Sequence, residues 1–278
     1  MSIFEALILG IIQGLTEFIP VSSTAHLLIG QKILGVESGE FVFAFLVIIQ
    51  LGTVLSLVIY FWQDLWLVAK AFLSSLKDFR SLGDFGNLSN DARLGWYIII
   101  ATIPAALIGY FLRDLVESLF QSPLLSASIR LFSAAILMAS AEWLGKRTRK
   151  LEEMTWLDSL IIGFFQVLAV FPGASRSGST ISGGMLRGFD RPSSARFAFL
   201  MFLPIMLGAG IYEALGISHN TGFYDFLPAL AIGFISAAIV GWIAVKWLLA
   251  YLSKNSLRSF AIYCASMGTI IFGFYLIL

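Results

Sequence analysis

Six stretches of the chain are apolar over nearly their whole length: 41–62, 95–113, 122–144, 193–215, 226–251 and 258–278. About 20 apolar residues in a helix cross the hydrocarbon of a bilayer, so each is predicted to be a transmembrane helix. Two further regions follow another pattern. Residues 3–19 and 156–171 are apolar, but each runs into a proline and a serine-rich turn, followed by short helical segments at 24–34 and 178–189. Neither short segment spans alone. Irregular backbone at membrane depth is tolerated only where protein buries it or where it lines a wet cavity. A helix, a polar tip and a second helix therefore predict a re-entrant hairpin, here twice. The expected fold class is an all-α integral membrane protein: six transmembrane helices plus two re-entrant helical hairpins.

Loop charge orients this arrangement, because short cytoplasmic loops are enriched in Lys and Arg. Loop 145–153 carries Lys146, Arg147, Arg149 and Lys150, whereas loop 216–225 carries no Lys or Arg. If 145–153 is cytoplasmic and 156–189 returns to the same side, Arg187, Arg191 and Arg196 are cytoplasmic too and 216–225 is outside. A single crossing by 156–189 would invert that pattern. Counting backward places loop 63–94, with Lys70, Lys77, Arg80 and Arg93, inside, and loop 30–40, with only Lys32, outside. The first hairpin then enters from the outer face and the second from the inner.

Beneath this topology lies a repeat. Gly10-Ile-Ile-Gln13 before Pro20-Val-Ser-Ser23 matches Gly163-Phe-Phe-Gln166 before Pro172-Gly-Ala-Ser175. Phe43-Ala-Phe-Leu46 recurs as Phe197-Ala-Phe-Leu200, and Pro104-Ala-Ala-Leu-Ile-Gly-Tyr110 as Pro228-Ala-Leu-Ala-Ile-Gly-Phe234. The matches keep their order in two halves, about 1–144 and 155–278, of a single membrane domain 1–278. With hairpins entering from opposite faces, this is an inverted-topology repeat, which gathers polar sites near the midplane where broken helices meet.

Composition fits a bilayer solvent: of 278 residues 58% are hydrophobic and 13% charged, with mean hydropathy +0.88. Eighteen basic against seventeen acidic residues give a net charge of +1, which leaves no field to draw nucleic acid. The start Met1-Ser-Ile-Phe-Glu5 lacks a basic cluster and cleavage site, so the first apolar segment is expected to belong to the fold. The single cysteine, Cys264, excludes an intrachain disulfide and a thiolate cluster.

The candidate chemistry sits at the two tips. Gln13 and Glu17, four apart, share a helical face, and Ser22, Ser23, Thr24 and His26 follow directly. Ionisable groups inside a membrane are costly and functional by default. The second tip combines Ser175, Arg176, Ser177, Gly178 and Ser179 at a helix start, where free N–H groups, the helix dipole and a guanidinium fork favour phosphate. Plainer roles compete: Ser22, Thr24, Ser177 and Ser179 can be N-caps, and Gln13 and Gln166 can bond across helices. Glu142, Glu213 and Lys246 lie near helix ends, where snorkelling to the interface accounts for them. Solvent exposure accounts for His219.

Gln13-Gly-Leu-Thr-Glu17-Phe-Ile-Pro-Val-Ser-Ser-Thr-Ala-His26 resembles the (E/Q)xxxE and PVSSTxH segments of the BacA-type undecaprenyl-diphosphate phosphatase family. Pro172-Gly-Ala-Ser-Arg-Ser-Gly178 resembles that family's PGxSRSG, and Ile49-Gln50-Leu-Gly52 and Ile181-Ser-Gly-Gly-Met185 also fit. Gln13 stands where many members have Glu, and Ala25 where Gly is common. The resemblance implies a bacterial plasma-membrane enzyme that converts undecaprenyl diphosphate to the monophosphate, recycling the carrier for peptidoglycan and conferring bacitracin resistance. Its partners would be that lipid substrate and the membrane lipids, with a homodimer among the assemblies it admits and the site opening to the periplasm.

On this basis the catalytic residues are expected to be Ser23, His26, Glu17 and Arg176, with Ser22, Thr24, Ser175, Ser177 and Gly178 binding substrate. Glu17 and Gln13 are expected to hold a divalent cation, Mg²⁺ or Ca²⁺, since hard cations take oxygen ligands. Ser23 and His26, three apart, make a nucleophile and base. Alternatives stay open: His26 as nucleophile, direct attack by a metal-bound water, and Glu17 orienting either His26 or the metal. A lipid-phosphate flippase or anion transporter is the rival class, since inverted repeats with paired hairpins are a transporter architecture. The other integral phosphatase class, with its SRxxxxxH segment, needs a histidine at a fixed spacing after Arg176, where this chain has none.

Overall fold

The computed structural model describes residues 1–37, 39–77, 88–112, 122–169, 174–217 and 223–277; among them the chain is helical, with no strand. The two arms of the first hairpin sequence are α1 (Ile3–Phe18) and α2 (Ser23–Leu34), followed by α3 (Glu40–Tyr60), α4 (Trp62–Lys77), α5 (Asn90–Phe111) and α6 (Pro123–Leu144). A 3-10 turn at Leu151–Glu153 leads to α7 (Trp156–Val167), α8 (Arg176–Leu186), α9 (Arg191–Ile217), α10 (Phe223–Leu252) and α11 (Arg258–Ile277). Pro172, Gly173 and His219 lie outside the described residues.

Six helices, α3, α5, α6, α9, α10 and α11, are long and apolar enough to cross a membrane, and they occupy the six stretches expected from hydropathy. Polar caps start two of them earlier than the apolar runs do. Ser89 accepts from the Ala92 amide at 3.3 Å at the head of α5, and Asp190 from the Ser193 amide at 2.8 Å at the head of α9. Residues 63–94, expected as a loop, hold all but the first residue of the sixteen-residue α4. Its Trp96-facing side packs on α5, while Trp62, Trp66, Leu67 and Leu73 are exposed. Asp64 and Lys70 within the helix keep it from reading as a span.

Small residues let the helices approach closely. A β-carbon on Gly10 of α1 would fall 2.4 Å from the Gly233 carbonyl oxygen of α10, and one on Gly14 would fall 2.7 Å from that of Ala237. One on Gly163 of α7 would fall 2.5 Å from the Ala101 oxygen of α5. The principal packings are α1 on α10, α3 on α10 and on α9, α6 on α11, and α7 on α5, with α6 also touching both α2 and α8.

One end of the molecule is tied by ion pairs. Arg149 donates to Asp158 at the start of α7 and to the Arg187 carbonyl at the end of α8, and Arg187 donates to Asp158 at 2.7 Å. The two ends of that hairpin sequence are thus held side by side. Arg196 pairs with Asp64 at 2.9 Å, and Lys150 with Asp190. Burial pushes the Asp190 carboxyl up, but hydrogen bonds from Lys150 and Ser193 hold it below the ordinary carboxylate range. That contribution to stability is present above this range and lost as pH falls through it.

Glu142 corrects the expectation of snorkelling. It is buried, takes Arg191 at 2.6 and 2.7 Å and Arg147 at 2.9 Å, and accepts the Leu257 amide at 2.8 Å. The carboxylate joins α6, α9 and the start of α11: Glu142 is turned inward onto these partners, while its neighbours Trp143 and Leu144 are exposed. Removing one member of a buried pair leaves the others uncompensated, at about 3–5 kcal/mol. Glu142→Gln is therefore expected to lower the unfolding midpoint of the detergent-purified protein markedly, read by thermal denaturation. An unchanged midpoint would show that the junction is not stabilising. Lys246, by contrast, is exposed, with its ammonium 5.2 Å from the Trp242 ring centre.

Candidate active site

The last two turns of α1, the helix that packs on α10 and α3, carry Gln13 and Glu17, both buried, and the Gln13 amide donates to one Glu17 oxygen at 2.8 Å. The other Glu17 oxygen lies 3.5 Å from the Arg176 guanidinium, at the first residue of α8. Residues 159 positions apart in the chain, one from each predicted tip, are thus brought together. Arg176 also donates to Gln50 of α3 at 3.2 Å and to the Met206 sulfur of α9, and its guanidinium lies 4.6 Å over the Phe202 ring. Phe202 and Met206 on the apolar side, with Gln50 and Glu17 on the polar side, hold the fork in one orientation.

Ser175 caps α8, accepting the Gly178 amide at 3.2 Å, with the Ser177 hydroxyl 3.4 Å away. The N-cap role weighed for Ser177 and Ser179 thus falls to Ser175, because the helix starts one residue after it. The amides of Arg176 and Ser177, in the first turn, have no acceptor within the helix. A β-carbon on Gly178 would crowd Ser175 at 3.2 Å.

At the first tip, Ser22 occupies the N-cap position of α2 but makes no capping hydrogen bond, and its φ of 69° is in the left-handed region. Such a non-glycine conformation costs about 1–3 kcal/mol and persists only where surroundings enforce it. Ser23 and Thr24 follow, both half-buried in the first turn. His26 places Nδ1 2.9 Å from the Ser22 carbonyl oxygen and Nε2 2.7 Å from the Tyr263 hydroxyl of α11. Among the described residues no hydrogen bond joins Ser23 to His26.

An apolar groove of about 550 Å³ runs from this tip along the outside of the bundle, lined by Ile12, Leu15, Ile19, Ile29, Ile33 and Phe260. The His26 and Tyr263 pair is on its wall.

Three participants escaped the sequence reading. Arg130 of α6 is buried one turn before Ala134, the residue that a β-carbon on Gly178 would meet at 3.6 Å, and its charge repels that of Arg176. It was legible by the same rule that singled out Glu17, a charge within an apolar span. Gln50 was legible as a lone amide in an apolar helix. Tyr263 had no sequence signal, since its partner lies 237 residues away.

Residues 6–270 match the family described as bacitracin resistance protein BacA. The undecaprenyl-diphosphatase of Rubrobacter xylanophilus is 38% identical over 273 residues, covering 98% of this chain and 97% of its own. Those of Syntrophobacter fumaroxidans and Alkaliphilus metalliredigens are 36% and 37% identical, covering 96% and 100% of this chain and 95% and 100% of theirs. With the match running from α1 into α11 and relatives this similar from end to end, the chain belongs to the BacA family.

Proposed function

We propose that this protein hydrolyses undecaprenyl diphosphate to undecaprenyl phosphate and inorganic phosphate, recycling the lipid carrier for peptidoglycan synthesis and conferring resistance to bacitracin. The observation that carries this reading is the meeting of Glu17 and Gln13, near the end of α1, with Arg176 at the N-terminus of α8. A carboxylate, a guanidinium fork and free amides form a site for a diphosphate rather than for an uncharged lipid. The relatives bearing that activity in their names support the same substrate. The apolar groove beside His26 suits the prenyl tail, which would enter laterally from the bilayer.

In the chemical step Arg176 binds the terminal phosphate, with Ser175 and the amides near Ser177 and Gly178 around it and Ser22 and Thr24 at the opposite tip. The Ser23 oxygen attacks the terminal phosphorus as its proton passes to His26. The bridging P–O bond breaks, and undecaprenyl phosphate leaves. Water then cleaves the phosphoseryl bond, releasing phosphate and restoring Ser23. Glu17 and Gln13 fit a divalent cation, Mg²⁺ or Ca²⁺: Gln13 Oε1 is buried without a hydrogen-bond partner, beside the Glu17 carboxylate. Bound there, the cation would neutralise diphosphate charge. A second reading, direct attack by water, is favoured by one observation, that both His26 nitrogens are engaged away from Ser23. Hydrogen bonds of a substrate-free site often realign on binding.

We also read the two halves, 1–144 and 155–278, as an inverted repeat with re-entrant hairpins. The pairing pattern supports this. The packing of α1 on α10 corresponds to that of α7 on α5, α3 on α10 to α9 on α5, and α3–α9 and α6–α11 map onto themselves. The basic end around Arg149 and Arg191 is then cytoplasmic, and the site opens to the periplasm. Proteoliposomes test function and orientation together, with Lys150→Cys and Tyr224→Cys as side-specific labels in a Cys264→Ser background. We expect phosphate release from undecaprenyl diphosphate added on the side where position 224 is labelled. Release only from the side of position 150 would reverse the orientation, and no release would sink the function.

A further inference from the structure

His26 has both ring nitrogens engaged, and the chemistry of its partners fixes which one carries hydrogen. A carbonyl oxygen can only accept, so the 2.9 Å contact with the Ser22 oxygen requires a proton on Nδ1. In the neutral ring Nε2 is then the lone pair, and the Tyr263 hydroxyl donates to it at 2.7 Å. The two rings are stacked, 12° from parallel with centres 5.8 Å apart. The next residue, Cys264, directs its thiol at the Pro20 carbonyl at 3.7 Å. One turn of α11 therefore touches both flanks of the tip from Pro20 to His26. The strained Ser22 lies between them, its carbonyl turned to receive Nδ1.

We infer that Tyr263 is a positioning residue for the phosphatase: its hydroxyl holds the Nε2 edge of His26 while the Ser22 carbonyl keeps the proton on Nδ1, so that the ring presents Nε2 as its basic atom in one orientation. The inference rests on the proposed activity for its kinetic consequence, but not for its structural one. With Nδ1 committed to Ser22, only Nε2 can take a proton during the reaction. The plane in which it does so is set by the tyrosine stack. Tyr263 touches neither Glu17 nor Arg176 in the described contacts, and its effect on turnover passes through His26.

The chain has two histidines, so His219→Gln leaves a single ring to observe. In ¹⁵N-histidine-labelled protein in detergent micelles, the wild-type ring is expected to show a protonated Nδ1 and an unprotonated Nε2. Tyr263→Phe keeps the stack and loses the donor; we expect the Nε2 resonance to shift while the proton stays on Nδ1, held by the Ser22 carbonyl. Its kcat on undecaprenyl diphosphate should fall by about tenfold, the worth of a hydrogen bond of roughly 1.4 kcal/mol, with KM within about twofold. A wild-type spectrum with the proton on Nε2 overturns the inference without any variant. So does a Tyr263→Phe protein with unchanged ring resonances and wild-type kcat. If the wild-type protein releases no phosphate, the proposed activity fails instead, and the spectra alone decide the hold of Tyr263 on His26.

Discussion

Glu17→Gln is expected to lower kcat/KM for phosphate release by about 10²–10³-fold while leaving the protein folded. Glutamine has the size of glutamate and can still bond to Gln13, so the packing of α1 against α10 is kept. What disappears is the negative charge 3.5 Å from the Arg176 guanidinium and 2.8 Å from the Gln13 amide. Removing one preorganised electrostatic group from a site costs about 10²–10³-fold in rate, each 1.36 kcal/mol being a factor of ten. Steady-state kinetics on purified variants measure the loss. The wild-type enzyme in excess EDTA divides the charge-pairing role from the cation-holding one. Full turnover there would withdraw the cation and leave Glu17 as a partner of Arg176 or an acid or base. Wild-type kinetics in Glu17→Gln would remove the carboxylate from the mechanism.

Ser23→Ala is expected to reduce turnover by at least about a thousandfold, within the range for losing base-assisted proton transfer together with the nucleophile it serves. The side chain is half-buried and makes no hydrogen bond to another side chain in the described residues, so its removal leaves nothing stranded and the fold should be untouched. Rapid quenching with substrate labelled in the terminal phosphate should trap label on Ser23 in the wild-type protein. Label on His26 would transfer the nucleophile's role to the ring. A substantial residual rate in Ser23→Ala with no label on the wild-type chain would establish direct attack by water. The free Ser23 hydroxyl and the tyrosine-held His26 make the distinction a matter of experiment rather than of distance.

The six long spans were legible because the bilayer imposes length and apolarity locally: a helix such as α10 satisfies its own backbone and advertises its lipid contact in every turn. The tips were legible because proline followed by hydroxyl residues cannot continue an apolar helix. Gln13 with Glu17, and Arg176 at a helix start, stood out as polar groups without local reason to be there. α4 was missed because Asp64 and Lys70 break its apolar run, and the test applied was length. Glu142 was misjudged because a carboxylate near a helix end looks the same in sequence whether it meets solvent or Arg191.

By itself, then, the sequence determined the class of solvent, the placement of six helices long and apolar enough to span, and the two polar segments that carry Gln13 to His26 and Ser175 to Ser179. Each depends on residues close together in the chain, through periodicity, propensity or capping. Only the tertiary structure decided that Glu17 faces Arg176, that Gln50, Phe202 and Met206 fix that guanidinium, that Ser175 rather than Ser177 caps α8, and that His26 is held by Tyr263. Those contacts join residues tens to hundreds of positions apart. They arise because small residues such as Gly10, Gly14 and Gly163 let particular helices meet at one depth and rotation, and side-chain packing sets that geometry, which no local pattern encodes.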